Sequence, residues 1–414
     1  MATRTENPPQ GKARFKGLGP GLLAAATGVG AGDLIATMIA GAEYGTLLLW
    51  AALLGTILKL GLGEGVGRWH VVTGTTLLDG WRQLGRWAVG FFGIYIVIWG
   101  FVYGATAMSA VGLPLNALFG GLPVRGWAII AGLVGLTLVW LQRYHVFEKF
   151  MTVLVLIKFV SVVSIAVLVA PDLPNLFNGL IPRLPDGSTV YVLGLIGGVG
   201  GTITMAAYGY WMFAKGWKGT GWLSMMRLDN AVGYIMTGIF VVAMLIVGST
   251  ILFGQDITES DSGLLTLGTA LGERYGDWSR ILFLVGFLAV TSTSLLGVWN
   301  GVSLLFADWT RTIRGADRYE ASVAERSLPF RGYLLWLTFP PMALLFLDKP
   351  FALTLVYGVL GSVFMPFLAI TLMLLLNSKR IAKEGRSGWL SNTVLGSSSA
   401  LFLVLLVTDL MDRF

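Results

Sequence analysis

The sequence predicts an all-α integral membrane protein, one transmembrane domain of eleven helices with two inverted five-helix repeats and one helix added at the end. Three observations carry this. Of 414 residues, 55% are hydrophobic and only 12% charged, where soluble chains carry about 25% charged residues. Eleven apolar runs approach the roughly 20 residues needed to cross a bilayer. Two of them, the first and the sixth, are interrupted by glycine clusters and polar residues, and each opens a block of five. Paired interruptions in corresponding halves point to a transporter binding site.

The runs cover 18–42, 45–66, 88–112, 126–141, 149–170, 190–214, 230–253, 280–307, 332–347, 351–377 and 389–410; the fourth and ninth are short. Residues 1–17 are polar and basic and read as a cytoplasmic tail, without the apolar core of a signal peptide. With the N-terminus inside, cytoplasmic segments hold 21 Lys and Arg and outer segments 6. This bias sets the orientation and places the C-terminus outside, in the inner membrane of a bacterium. Arg143, Arg318 and Lys12 count inside, and Lys349 and Arg413 outside. The outer loop 255–279 is acidic, with Asp256, Glu259, Asp261, Glu273 and Asp277. The net charge of +7 thus reflects topology, and nucleic acid is not an expected partner. There is no Cys, which excludes disulfides and thiolate metal ligands. Residues 308–331 alternate in charge and suggest a surface helix.

Run 1 contains GVGAGD at 28–33. Irregular backbone at membrane depth persists only where it is buried or lines a cavity. Asp33 lies 15 residues into the run, near the bilayer midplane, where an acid is a functional-site hypothesis by default. A phosphate-cradling glycine loop needs a preceding strand, and none is expected here. Run 6 carries Gly197, Gly198, Gly200 and Gly201, then Thr202, Thr204, Met205 and Tyr208. Glycines there equally suit close helix packing, and Met205 equally suits gap-filling in a core. Lys59 and Lys158 are read as snorkelling toward the cytoplasmic face, Glu64 and Arg68 as an i,i+4 pair, and Glu43 as interfacial. His70 and His145 fall in expected cytoplasmic loops. No nucleophile–base pair, histidine ligand set or ATP-binding motif lies at membrane depth, so neither an enzyme nor a primary pump is expected.

Further signals extend along the chain: GPGLL at 19–23, AGAEYG at 40–45, Glu64 with Arg68, VVTG at 71–74, TSTSLLGVWNG at 291–301 and MPF at 365–367. In these the chain resembles the Nramp family of divalent metal transporters. The resemblance implies a LeuT-type 5+5 inverted repeat with broken helices 1 and 6. It also implies a divalent metal ion (Mn, Fe or Mg class) as substrate, with no separate cofactor.

The expected site departs from the family pattern. Where the family has Asp-Pro-Gly-Asn, this chain has Gly30, Ala31, Gly32 and Asp33. Where it has Ala-x-x-Met-Pro-His-Asn, this chain has Thr202, Ile203, Thr204, Met205, Ala206, Ala207 and Tyr208; the metal-binding Met is kept, and the His tied to proton movement is Ala207. The polar residue expected in run 10 falls on Gly358, and run 3 lacks the acids of the family's proton route. The reading is therefore a secondary transporter of a divalent metal, working by alternating access without the usual proton route. Asp33 supplies charge, Thr202 and Met205 act as supporting ligands, and carbonyls near Thr27 and Gly30 complete the site. A thioether favours softer ions such as Mn²⁺ or Fe²⁺. The alternative is a carrier of a small organic solute or monovalent cation, with Tyr208, Tyr210 and Trp211 as an aromatic wall. A monomer in the lipid bilayer is expected.

Overall fold

The computed structural model describes residues 8–9, 11, 13–141, 144–169, 173–198, 200–254, 261–316, 319–347 and 350–411. Arg4, Lys12, Arg143, Asp256, Glu259, Arg318, Lys349 and Arg413 lie outside them. Among the described residues there is no strand.

Thirteen helices follow the eleven expected runs. They are α1 (Pro20–Gly28), α2 (Ala31–Tyr44), α3 (Leu49–Thr73), α4 (Arg86–Phe119), α5 (Val124–Leu141), α6 (Tyr144–Leu168), α7 (Thr189–Gly198), α8 (Thr204–Ala214), α9 (Leu223–Ile251), α10 (Asp277–Ile313), α11 (Leu328–Leu345), α12 (Pro350–Leu376) and α13 (Trp389–Met411). Runs 1 and 6 are each split in two. Among the described residues, α3, α4, α5, α6, α9 and α10 are each long and apolar enough to cross a membrane, and α1 with α2 makes a further span as a bent pair.

Local chemistry explains the break in run 1. Pro20 starts α1, where its missing N–H costs nothing. Val29 and Gly30 are extended, and the two halves meet at 63°. Asp33 sits in the first turn of α2 and its Oδ2 accepts the Gly30 N–H at 2.8 Å. One carboxylate thus satisfies an amide that the break would leave unpaired.

Of the boundaries that differ from expectation, two move residues or links singled out above. Run 2 continues to Thr73 and ends on Gly74, whose left-handed backbone returns its N–H to His70 O at 2.8 Å. His70 is therefore a buried helical residue and not a loop residue; its Nε2 lies 2.9 Å from Trp217 O. Likewise α10 continues to Ile313, so the cytoplasmic link begins later than position 308, and its only named helix among the described residues is the short Ala321–Ala324.

The packing order places the breaks centrally. α9 lies against α1, α2 and α3, and α10 lies against α4, α6 and α8. α1 is enclosed by α6, α8, α9 and α10.

Candidate substrate site at the helix breaks

The two breaks meet backbone to backbone. A Cβ on Gly28 would lie 2.3 Å from the Gly200 carbonyl carbon, and one on Gly201 would lie 2.6 Å from Gly28 Cα. Gly200 and Gly201 have φ of 74° and 81°, where side-chain-bearing residues are strained. Glycine is thus needed here both for the turn and for the close approach.

Side chains from three helices, α10, α4 and α12, converge on this contact. Ser294 Oγ of α10 donates to Thr27 O at 3.0 Å and pairs with Tyr103 Oη of α4 at 2.7 Å. A Cβ on Gly30 would stand 2.9 Å from Ser294 Oγ, so Gly30 faces the same hydroxyl. Tyr103 stacks on Trp99 at 4.5 Å and meets Tyr357 of α12 edge-on at 5.0 Å. The Thr202 hydroxyl faces the Tyr357 phenol, without a well-formed hydrogen bond among the described residues.

Two lysines complete the cluster, and here the sequence reading is corrected. Lys59 and Lys158 do not snorkel; they are 0% and 5% exposed. Lys158 Nζ donates to Ala26 O at 3.0 Å, at the C-terminal end of α1. Lys59 Nζ donates to Gly201 O at the other break and lies 3.6 Å from Met365 Sδ. Their stems point inward because α3 and α6 pack on the core at these positions, and the broken ends offer carbonyls with no helical partner. Half-helix C-termini carry partial negative charge, which favours a cation. Asp33, 8% exposed, is within electrostatic reach of Lys59, Lys158, Tyr103 and Tyr357.

The expected residues are therefore distributed as follows. Asp33, Gly30 and Thr27 lie at the first break and Thr202 at the second. Met205 is buried in the first turn of α8, its amide bonded to Thr202 O at 3.1 Å. Thr27 O already accepts from Ser294 and Ala26 O from Lys158, so nearby carbonyls are engaged by protein donors in this conformation. Among the described residues no group of three or more His, Cys, Asp or Glu could hold a metal ion. The aromatic rings clustered beside the breaks are those of Tyr103, Tyr357 and Trp99. Tyr208 instead donates to Asp229 Oδ2 at 3.1 Å, Tyr210 to Asp308 Oδ2 at 2.5 Å, and Trp211 Nε1 to Asn300 Oδ1 at 2.9 Å. Sequence reasoning missed Ser294 and Tyr103 as site residues, although the hydroxyl-rich TSTS of run 8 was the available signal for the former.

A bundle of apolar helices around two touching helix breaks defines an integral membrane protein of LeuT-type architecture. The sequence profile described as natural resistance-associated macrophage protein-like matches residues 21–412. The chain belongs to that family, Nramp, a family of membrane transporters. It is 25% identical to the divalent metal cation transporter MntH of Mycobacterium leprae over 412 residues, covering 94% of this chain and 90% of the relative. To MntH of Mycobacterium tuberculosis H37Rv it is 25% identical over 302 residues, 70% of this chain and 69% of the relative. The Eremococcus coleocola manganese transporter, solved with an aromatic bis-isothiourea compound, superposes with a TM-score of 0.80 at 16% identity, covering 99% of this chain and 90% of that one.

Proposed function

We propose that this protein is a secondary transporter that moves a divalent metal cation of the Mn, Fe or Mg class by alternating access, with Asp33 as the charged ligand. The observation that carries this is a buried carboxylate at the first of two touching helix breaks, in a chain of the Nramp family. Thr202, Met205 and the carbonyls around Thr27 and Gly30 are the supporting ligands in the loaded state. The domain is a single one of eleven spans, working as a monomer in a bacterial inner membrane. The bias of Lys and Arg supports a cytoplasmic N-terminus and an outer C-terminus.

The same reading holds that the family's proton route is lost, because run 3 has no acid and Ala207 stands where the family has His. One observation favours a second reading, a carrier of a small organic solute or monovalent cation: Lys59 and Lys158 lie within electrostatic reach of Asp33 and oppose a dication there.

Uptake of Mn²⁺, Mg²⁺ and Ca²⁺ into proteoliposomes, with an internal pH dye, tests both. Entry of at least one metal without acidification is expected. Entry of none would leave the organic-solute reading, and acidification that tracks the metal would restore the proton route.

A further inference from the structure

The end of α1 offers a cation-binding position that the protein fills itself. In transporters built on broken helices, half-helix C-terminal ends and unwound carbonyls are where monovalent co-ions are held. Here the C-terminal end of α1 presents Ala26 O and Thr27 O. Two hydroxyls of α10 reach the same carbonyls, Thr293 Oγ1 to Ala26 O at 3.3 Å and Ser294 Oγ to Thr27 O at 3.0 Å. Oxygen atoms from two helices, at the negative end of one of them, suit a hard monovalent cation. The charge at this position is the ammonium of Lys158, 3.0 Å from Ala26 O and 5.9 Å from the centre of the Phe240 ring.

We propose that Lys158 is a resident cation, its ammonium occupying the position that the Ala26 and Thr27 carbonyls and the Thr293 and Ser294 hydroxyls would otherwise offer to Na⁺, so that this transporter works without a monovalent co-ion. Three features support a resident rather than incidental role. The lysine comes from α6, a different helix from those that supply the oxygens. It is buried, and an ammonium out of water persists only where charge and acceptors compensate it; Asp33 supplies the charge and Ala26 O the acceptor. The other break repeats the device, with Lys59 of α3 on Gly201 O. Tethered in this way, each ammonium stabilises a broken end without a binding equilibrium. Lys158 is on this account a positioning residue, which need not touch substrate.

The inference is independent of which substrate is carried, and its first test involves none. The full-length protein, purified in detergent, is melted in sodium chloride and in choline chloride. The wild type is expected to melt at the same temperature in both. Lys158→Met vacates the position and should melt lower in choline. Na⁺ should then raise its Tm by about 2–4 °C, as binding to the folded state alone requires, and Lys158→Gln should show the same rescue. A wild-type Tm that rises with Na⁺, or variants that fold yet melt identically in the two salts, would overturn the proposal. If neither variant folds, the wild type decides through uptake of Mn²⁺ or, should Mn²⁺ not be carried, through its melting alone. Equal rates or melting in Na⁺ and choline support a resident cation, and a tenfold loss of uptake on removing Na⁺ refutes it. Absence of Mn²⁺, Mg²⁺ and Ca²⁺ uptake in both salts refutes the metal-transport reading without touching this one.

Discussion

Gly28 of α1 and Gly200, in the break after α7, are in backbone contact: a Cβ on Gly28 would lie 2.3 Å from the Gly200 carbonyl carbon and 2.4 Å from its oxygen. Because the obstacle is backbone, no side-chain rotation relieves it. Gly28→Ala should destabilise the protein by about 1–3 kcal/mol or more, the usual cost of overpacking. Gly194→Ala is the control, since nothing lies within 4 Å of a Cβ there, and it should change stability by less than about 0.5 kcal/mol. Thermal unfolding of the two variants checks the contrast; equal melting would contradict the contact.

Asp229 holds the start of α1 in place. Its two oxygens accept the amides of Gly19 at 2.8 Å and Gly21 at 2.5 Å, with the Tyr208 hydroxyl at 3.1 Å. Asp229→Ala leaves these donors without their acceptor, at about 1–3 kcal/mol each where buried, so a loss of about 3 kcal/mol or more is expected. The chain has no native Cys, so Ala26→Cys can be labelled by a maleimide alone. Labelling should be faster when Asp229→Ala is present, as α1 loosens. An unchanged rate would mean that α1 is held by other contacts.

Arg311 bridges Asp308 and Asp79, both at 2.6 Å, while Tyr210 donates to the other oxygen of Asp308 at 2.5 Å. The Asp308 side chain is fully buried, at 0% exposure. Arg311→Ala should cost about 3–5 kcal/mol, because it strands a buried carboxylate. Tyr210→Phe removes one hydrogen bond to a charged group and should cost about 1.5–3 kcal/mol. Denaturation of both variants tests this order; a reversed order would show that the Tyr210 hydrogen bond, and not the Arg311 charge, is what chiefly compensates buried Asp308.

The helices and their breaks were legible because the signals are one-dimensional. Apolar length marks a span whatever packs beside it, and GVGAG and GGVGG interrupt a helix wherever it sits. Asp33 stands out in the sequence as an acid within an apolar run, and the fold places it in the first turn after the first break. Lys59 and Lys158 were misread because a lysine in an apolar run looks alike whether its stem runs along lipid or into the bundle; helix rotation decides, and tertiary packing sets it. In the organic-solute alternative, Tyr208, Tyr210 and Trp211 read as an aromatic wall because they follow the break. In the fold these bond to Asp229, Asp308 and Asn300, and the rings beside the breaks are those of Tyr103 and Tyr357, about a hundred or more positions away in sequence.

The most direct test of the central claim is Mn²⁺ uptake by proteoliposomes containing wild type or Asp33→Ala, matched for protein content and with folding verified by melting. Asp33→Ala removes the carboxylate at the first break, and uptake should fall at least tenfold, equivalent to about 1.4 kcal/mol. Mn²⁺ uptake by Asp33→Ala at the wild-type rate would contradict the account.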